Sequence, residues 1–167
     1  MILTDILIDG FWGAIAAIGF GAISDPPTRA FKFIAILGAL GHASRYFLMN
    51  FFAFDISSAS FIAGLIIGFS SLWLGAKIYC PTTVLYIPAL LPMIPGKFAY
   101  NTVFSLIMYL QNMQNAELKT HYKDMIFDNG IITFTVIFLL AIGATIPMFV
   151  FNKKAYSLTR RKLSSEN

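Results

Sequence analysis

Charge is scarce in this sequence. Of its 167 residues only 12% are Asp, Glu, Lys or Arg, while 57% are hydrophobic. A soluble domain carries about twice that charged share. Such a composition excludes a globule with a water-facing surface all round and suits a chain bathed in lipid. Cysteine is almost absent: Cys80 stands alone, which rules out an intrachain disulfide and leaves a structural thiol near a helix end. No Cys/His cluster has metal-ligand spacing, so no metal site is expected. A Gly-x-Ser-x-Gly elbow, a phosphate loop and a haem motif are all missing, which argues against an enzyme and against any cofactor. The net charge of +4 does not indicate a nucleic-acid partner. Much of it comes from Lys153, Lys154, Arg160, Arg161 and Lys162, and a short basic tail after a membrane span is a topology signal. No aromatic-basic interleaving accompanies it.

What is there in quantity is apolar sequence. Ile56 to Ala76 and Asn129 to Asn152 are uncharged, and each exceeds the roughly 20 residues needed to cross a hydrocarbon core of about 30 Å. The pattern predicts an all-α polytopic membrane protein of five transmembrane helices. They run from about Ile6 to Ile23, Ala30 to Phe52, Ile56 to Tyr79, Thr82 to Leu110 and Met125 to Phe151. Residues 1–152 then form one membrane domain and 153–167 a basic cytoplasmic tail. The acidic start, Met1-Ile-Leu-Thr-Asp5, does not match a cleavable signal, so the first span is expected to be retained. Links are short except Gln111 to Asp124, read as a polar loop, and short links imply antiparallel neighbours in one bundle. With the C-terminus inside, Arg29, Lys32, Lys77 and the tail face the cytoplasm, and only Lys119 and Lys123 lie outside. The positive-inside rule therefore places the N-terminus outside and the C-terminus in the cytoplasm.

The fourth span contains the sharpest local signal. Pro92-Met-Ile-Pro-Gly96 puts two prolines and a glycine in five residues, and Lys97 follows, flanked on both sides by long uncharged sequence. Each proline removes an N–H donor and crowds the carbonyl four residues back, so the helix is expected to break at Pro92, Pro95 and Gly96. Freed main-chain groups inside a bilayer persist only where protein or a water-filled cavity satisfies them. A half-helix starting near Pro95–Gly96 points a positive dipole end at any anion, with Lys97, Tyr100 and Asn101 in its first turns. Either this is a substrate site, or it is a proline kink whose lysine snorkels to the membrane surface or pairs with a partner chain.

On the second span Gly38, His42 and Arg45 share one helical face. A mid-span arginine costs at least ~2.5 kcal/mol and demands a partner. Arg45 either attracts a substrate carboxylate with its planar fork of donors, or caps carbonyls of the broken helix, or snorkels outward. His42 either carries a proton or sits neutral on a carbonyl. Asp9 and Asp128, near the ends of the first and fifth spans, are candidate proton or counter-ion groups for Arg45. Small residues at helical spacing, Gly10, Ala14, Ala17 and Gly21 on the first span and Ser60, Gly64, Gly68 and Gly75 on the third, predict close helix approach.

Pro26-x-x-x-Ala30, Leu37-Gly-x-x-Gly-His-x-Ser-Arg45 and Ile87-Pro…Pro92-Met-Ile-Pro-Gly96-x-x-x-Tyr100 resemble the threonine/serine exporter family, ThrE-type, in its small-subunit form. The likeness covers roughly Gly13 to Phe151. It implies a subunit of a proton-coupled exporter in the bacterial inner membrane, moving small hydroxy-amino acids or small dicarboxylates. It also implies a larger membrane subunit of the same family as partner, the two forming oppositely inserted halves of an inverted-repeat transporter. Lys97 departs from the small or polar residue that the family carries after Pro-Gly, and would tune substrate choice here. The expected roles are carboxylate binding by Arg45 and the Pro95–Gly96 half-helix start, recognition of the polar remainder by Tyr100 and Asn101, and proton transfer by His42. The rival readings are a non-transporting membrane assembly factor and a channel.

Overall fold

A computed structural model describes residues 2–151, so the basic tail expected over 153–167 lies outside the described residues. Among the described residues six α-helices follow one another: α1 (Ile2–Ile23), α2 (Phe31–Phe51), α3 (Ile56–Ile78), α4 (Thr82–Leu90), α5 (Gly96–Gln111) and α6 (Ala116–Val150). Single 3-10 turns lie at Thr28–Ala30 and Leu91–Met93, and no strand occurs among the described residues. Three helices are by themselves long and apolar enough to cross a membrane: Leu3–Ile23 of α1, α3 and α6. The protein is an all-helical membrane protein.

The described residues divide into two compact units, 2–93 with 139–151 and 94–138. In the first, α1 and α2 meet at a glycine seam. A Cβ on Gly38 would stand 2.5 Å from the Ala17 Cβ and 2.8 Å from the Gly13 carbonyl oxygen. A side chain at either glycine would push the backbones apart, so the small-residue face read in the sequence is where the helices touch. It runs through Gly10, Gly13, Ala17 and Gly21, all buried, with Ala14 only partly covered. The face expected on α3 also packs: Gly64 and Gly68 lie against the Leu140–Ala144 backbone of α6. Ile34, Leu37, Ile67, Leu85 and Met93 fill the core between these elements and are fully buried.

Two helix starts follow from single side chains. Asp55 caps α3, its carboxylate accepting from the Ser57 and Ser58 amides at 2.9 and 3.0 Å. The Ser58 side chain first, and then the Ser58 and Ser57 amides, hold its carboxyl below the usual carboxylate range. A depressed pKa gives stability that is present above the unfolded value of about 3.9 and is lost as pH falls through the folded value. Asp55→Ala is expected to cost about 1 kcal/mol at neutral pH and to abolish that acid-side loss. Unfolding of the purified chain between pH 3 and pH 7 measures both.

Asn115 caps α6 in the same way, its side-chain oxygen accepting from the Glu117 and Leu118 amides at 3.1 and 3.2 Å. This corrects the polar loop expected over Gln111 to Asp124. The chain turns only at 112–115, and α6 begins at Ala116 rather than near Met125. Polarity there marks the limit of the apolar stretch, not the limit of the helix. Ala, Glu, Leu and Lys following an asparagine cap are good helix formers. α1 likewise starts earlier than expected, at Ile2 rather than Ile6.

Candidate functional site

The helix expected to break does break. α4 passes through Pro88, ends at Leu90 and gives way to the 3-10 turn Leu91–Met93. Pro88, Pro92 and Pro95 have no N–H, so the carbonyls of Val84, Pro88 and Leu91 lack their helical donors. The Met93 carbonyl lies beyond α4 and before α5, where no α-helical ladder serves it. Arg45 serves it instead: its Nη1 donates to the Met93 oxygen at 2.7 Å from within α2. Arg45 thus does at least one of the things its sequence context allowed, capping a carbonyl freed by the break. One such bond leaves other guanidinium donors for a ligand.

One turn back on α2, the His42 Nδ1 lies 3.3 Å from Asp9 Oδ2 on α1. The ring occupies the space a side chain on Gly13 would need, since a Cβ there would fall 2.5 Å from the imidazole Cγ. Gly13 is therefore the residue that lets His42 enter the α1–α2 seam. Asp9 was a candidate proton or counter-ion group for Arg45; its hydrogen-bond partner is His42. Sequence reasoning did not join these two, because nothing in a linear pattern sets the register of α1 against α2. The His42 Nε2 is buried without a hydrogen-bond partner.

In the second unit the chain enters α5 through Pro95, at φ −78° and ψ 73°, the geometry of an inverse γ-turn. The Gly96 amide donates to the Ile94 carbonyl at 2.8 Å, and those of Phe98 and Ala99 to the Pro95 carbonyl at 3.0 and 3.1 Å. The main-chain donors expected to await an anion at this half-helix start are thus mostly spent inside the turn. Lys97 and Tyr100 are exposed. Asn101 Nδ2 is 3.5 Å from Asn129 Oδ1, at the outer limit of a hydrogen bond. Asn129, which sequence reasoning passed over, also donates to the Met125 carbonyl at 2.8 Å. Asp128 is exposed in α6.

Gly96 needs neither a positive φ nor empty space for its neighbours: a Cβ there meets nothing within 4 Å. Gly96→Ala is therefore expected to leave the fold intact and to firm up α5 by up to about 1 kcal/mol. Unchanged helicity and melting with reduced transport would identify Gly96 as a site residue; a lowered melting point would contradict this geometry.

A helical membrane protein with a proline-broken helix, and an arginine bound to the carbonyl that the break frees, has the character of a membrane transport component. The family model described as "Threonine/Serine exporter, ThrE" matches residues 9–150, and the chain belongs to that family. A Haemophilus influenzae protein described as uncharacterized is 35% identical over 102 residues, covering 61% of this chain and 34% of that relative. The chain thus matches about a third of the length of the curated relative. No solved structure matches.

Proposed function

We propose that this chain is one subunit of a proton-coupled exporter of small carboxylate-bearing metabolites, either threonine/serine-like amino acids or small dicarboxylates. It works in the bacterial inner membrane with a larger membrane subunit of the same family. The carrying observation is the 2.7 Å bond from Arg45 to the Met93 carbonyl, which ties a fixed cation to a break in the chain. A cation at that depth is unfavourable unless paired or used. Family membership supports an exporter role, and the family's description, which names threonine and serine, favours the amino-acid half of that class.

The same reading counts α4, the turn after it and α5 as one interrupted span. That gives five spans, with the N-terminus outside and the C-terminus in the cytoplasm, and makes the chain one half of an inverted repeat. Arg45 binds carboxylate and His42 carries the proton. In the second unit Pro95, Gly96, Lys97, Tyr100 and Asn101 take the substrate-binding roles, with Lys97 adjusting selectivity.

The test is L-threonine and succinate flux from vesicles containing this chain and its larger subunit, with and without an imposed proton gradient. Gradient-dependent flux that falls in a Pro95-Gly96→Ala-Ala variant of normal abundance supports the reading. Flux that ignores the gradient indicates a channel. Flux unaffected by the motif variants, with complex recovery altered instead, indicates a scaffold.

A further inference from the structure

We propose that Asp9 and His42 form one cation site that holds either the ammonium group of an amino-acid substrate or a proton, and that this exclusion couples export to the proton gradient. The inference rests on the exporter reading above and specifies its substrate class and coupling residue.

An ionised carboxylate only accepts hydrogen bonds, so the 3.3 Å contact with Asp9 Oδ2 assigns the neutral ring's proton to Nδ1. That leaves the lone pair on Nε2, the atom that is buried and unpartnered. A proton taken up there makes His42 an imidazolium whose Nδ1–H already points at Asp9. The Nδ1–H bond to Asp9 is kept, and the pair passes from one negative charge to none.

The two partners differ in access. The His42 side chain is 12% exposed, whereas that of Asp9 is 37% exposed. With His42 neutral, Asp9 presents an uncompensated carboxylate that an ammonium group can reach. With His42 protonated, the same carboxylate is neutralised from behind. Proton and ammonium thus compete for one negative charge without needing the same atom, and mutual exclusion is what exchange transport requires.

The surroundings keep the competition local. Arg45, one turn along α2, is the other charged group on that face, and it is bonded to Met93. It supplies a standing positive charge and a carboxylate partner, so an amino acid would find both its charges answered. On α1 the other acid is Asp5, exposed one turn away. α3 has no charged residue before Lys77 in its last turn, and α4 has none, Tyr86 being its titratable group. The stretch 139–150 of α6 has no titratable side chain, and the turn Leu91–Met93 has none. Arg29 lies in the turn before α2 and bonds to the Tyr79 carbonyl.

The test compares L-threonine with 3-hydroxybutyrate, which lacks only the ammonium group, on the full chain purified with its larger subunit. L-Threonine affinity should fall by about tenfold per pH unit below the titration of the pair, as linkage between competing cations requires. Asp9→Asn should lower L-threonine affinity at least tenfold above that titration and flatten the pH slope. It should leave 3-hydroxybutyrate binding no weaker, and Asp9→Glu should restore most of the loss. The chain has two histidines, so His121→Gln leaves a single imidazole in this chain, and with only this subunit isotope-labelled its NMR titration should move when Asp9 becomes Asn. If Asp9→Asn keeps both the affinity and the slope, or the imidazole titrates unchanged, the cation site is wrong while the exporter reading stands. If the wild-type complex binds no L-threonine at any pH, the amino-acid exporter reading falls and this inference with it.

Discussion

On the proposed exporter role, Arg45→Ala is expected to lower flux by about ten- to a hundredfold without loss of the protein from the membrane. The magnitude follows from the bond itself. A hydrogen bond to a charged group contributes about 1.5–3 kcal/mol, and deleting the donor leaves the Met93 oxygen without its partner. Arg45→Lys separates the two roles. A lysine keeps the charge but lacks the planar fork, so it can cap one carbonyl or hold one carboxylate oxygen, not both. It should recover most of the thermal stability and little of the transport. Flux from vesicles, normalised to reconstituted protein, and melting of the same preparation make the comparison. Wild-type flux in Arg45→Ala at normal abundance would remove Arg45 from the mechanism.

Gly143→Ala and Gly68→Ala have the largest expected effect on stability. A Cβ on Gly143 would stand 2.6 Å from the Phe61 carbonyl oxygen and 3.1 Å from the Leu65 nitrogen. One on Gly68 would stand 2.6 Å from the Ala144 carbonyl oxygen and 3.0 Å from Pro147. Apart from the Pro147 ring carbon these obstacles are main-chain atoms on the opposing helix, and no rotamer change removes them. The helices must separate, at a cost of about 1–3 kcal/mol for each substitution. Gly19 is the control, since a Cβ there meets nothing within 4 Å. In lipid, melting should fall clearly for the first two variants and not for Gly19→Ala. Equal melting of all three would mean that α3 and α6 do not touch where the glycines place them.

What the sequence disclosed and what it concealed divide along a physical line. Proline acts on its own backbone, so the interruption after Leu90 was visible in the order of residues alone. Small residues at helical spacing announced the faces of α1 and α3 for the same local reason. The Asp9–His42 contact was hidden because it depends on the register of two helices, which Gly13 and Gly38 set by close approach. The Met93 carbonyl was hidden because main-chain acceptors carry no letter in a sequence. The start of α6 was misplaced because composition reports the solvent around a segment, whereas an asparagine cap reports its backbone. The half-helix start at Pro95 looked richer in free amides than it is, since a γ-turn uses donors that an ideal helix terminus would leave open.

The lengths of the helices have a consequence for how the chain enters a bilayer. α4 has 9 residues and α5 has 16, so neither alone covers a hydrocarbon core of about 30 Å at about 1.5 Å per residue. α2 is long enough but carries Lys32, His42 and Arg45, and it is not among the helices apolar enough to span unaided. The insertion machinery therefore meets its weakest signals in the segments that carry the polar groups. α1 and α3 flank α2 in the order of synthesis, and each can partition into lipid by itself. α4 emerges when α2 has already arrived, and the Arg45 guanidinium gives the Met93 carbonyl a partner that lipid would not supply. The helices that carry the polar groups are thus the ones whose length and composition least favour unaided passage into lipid, and the apolar α1 and α3 stand on either side of α2 in the chain.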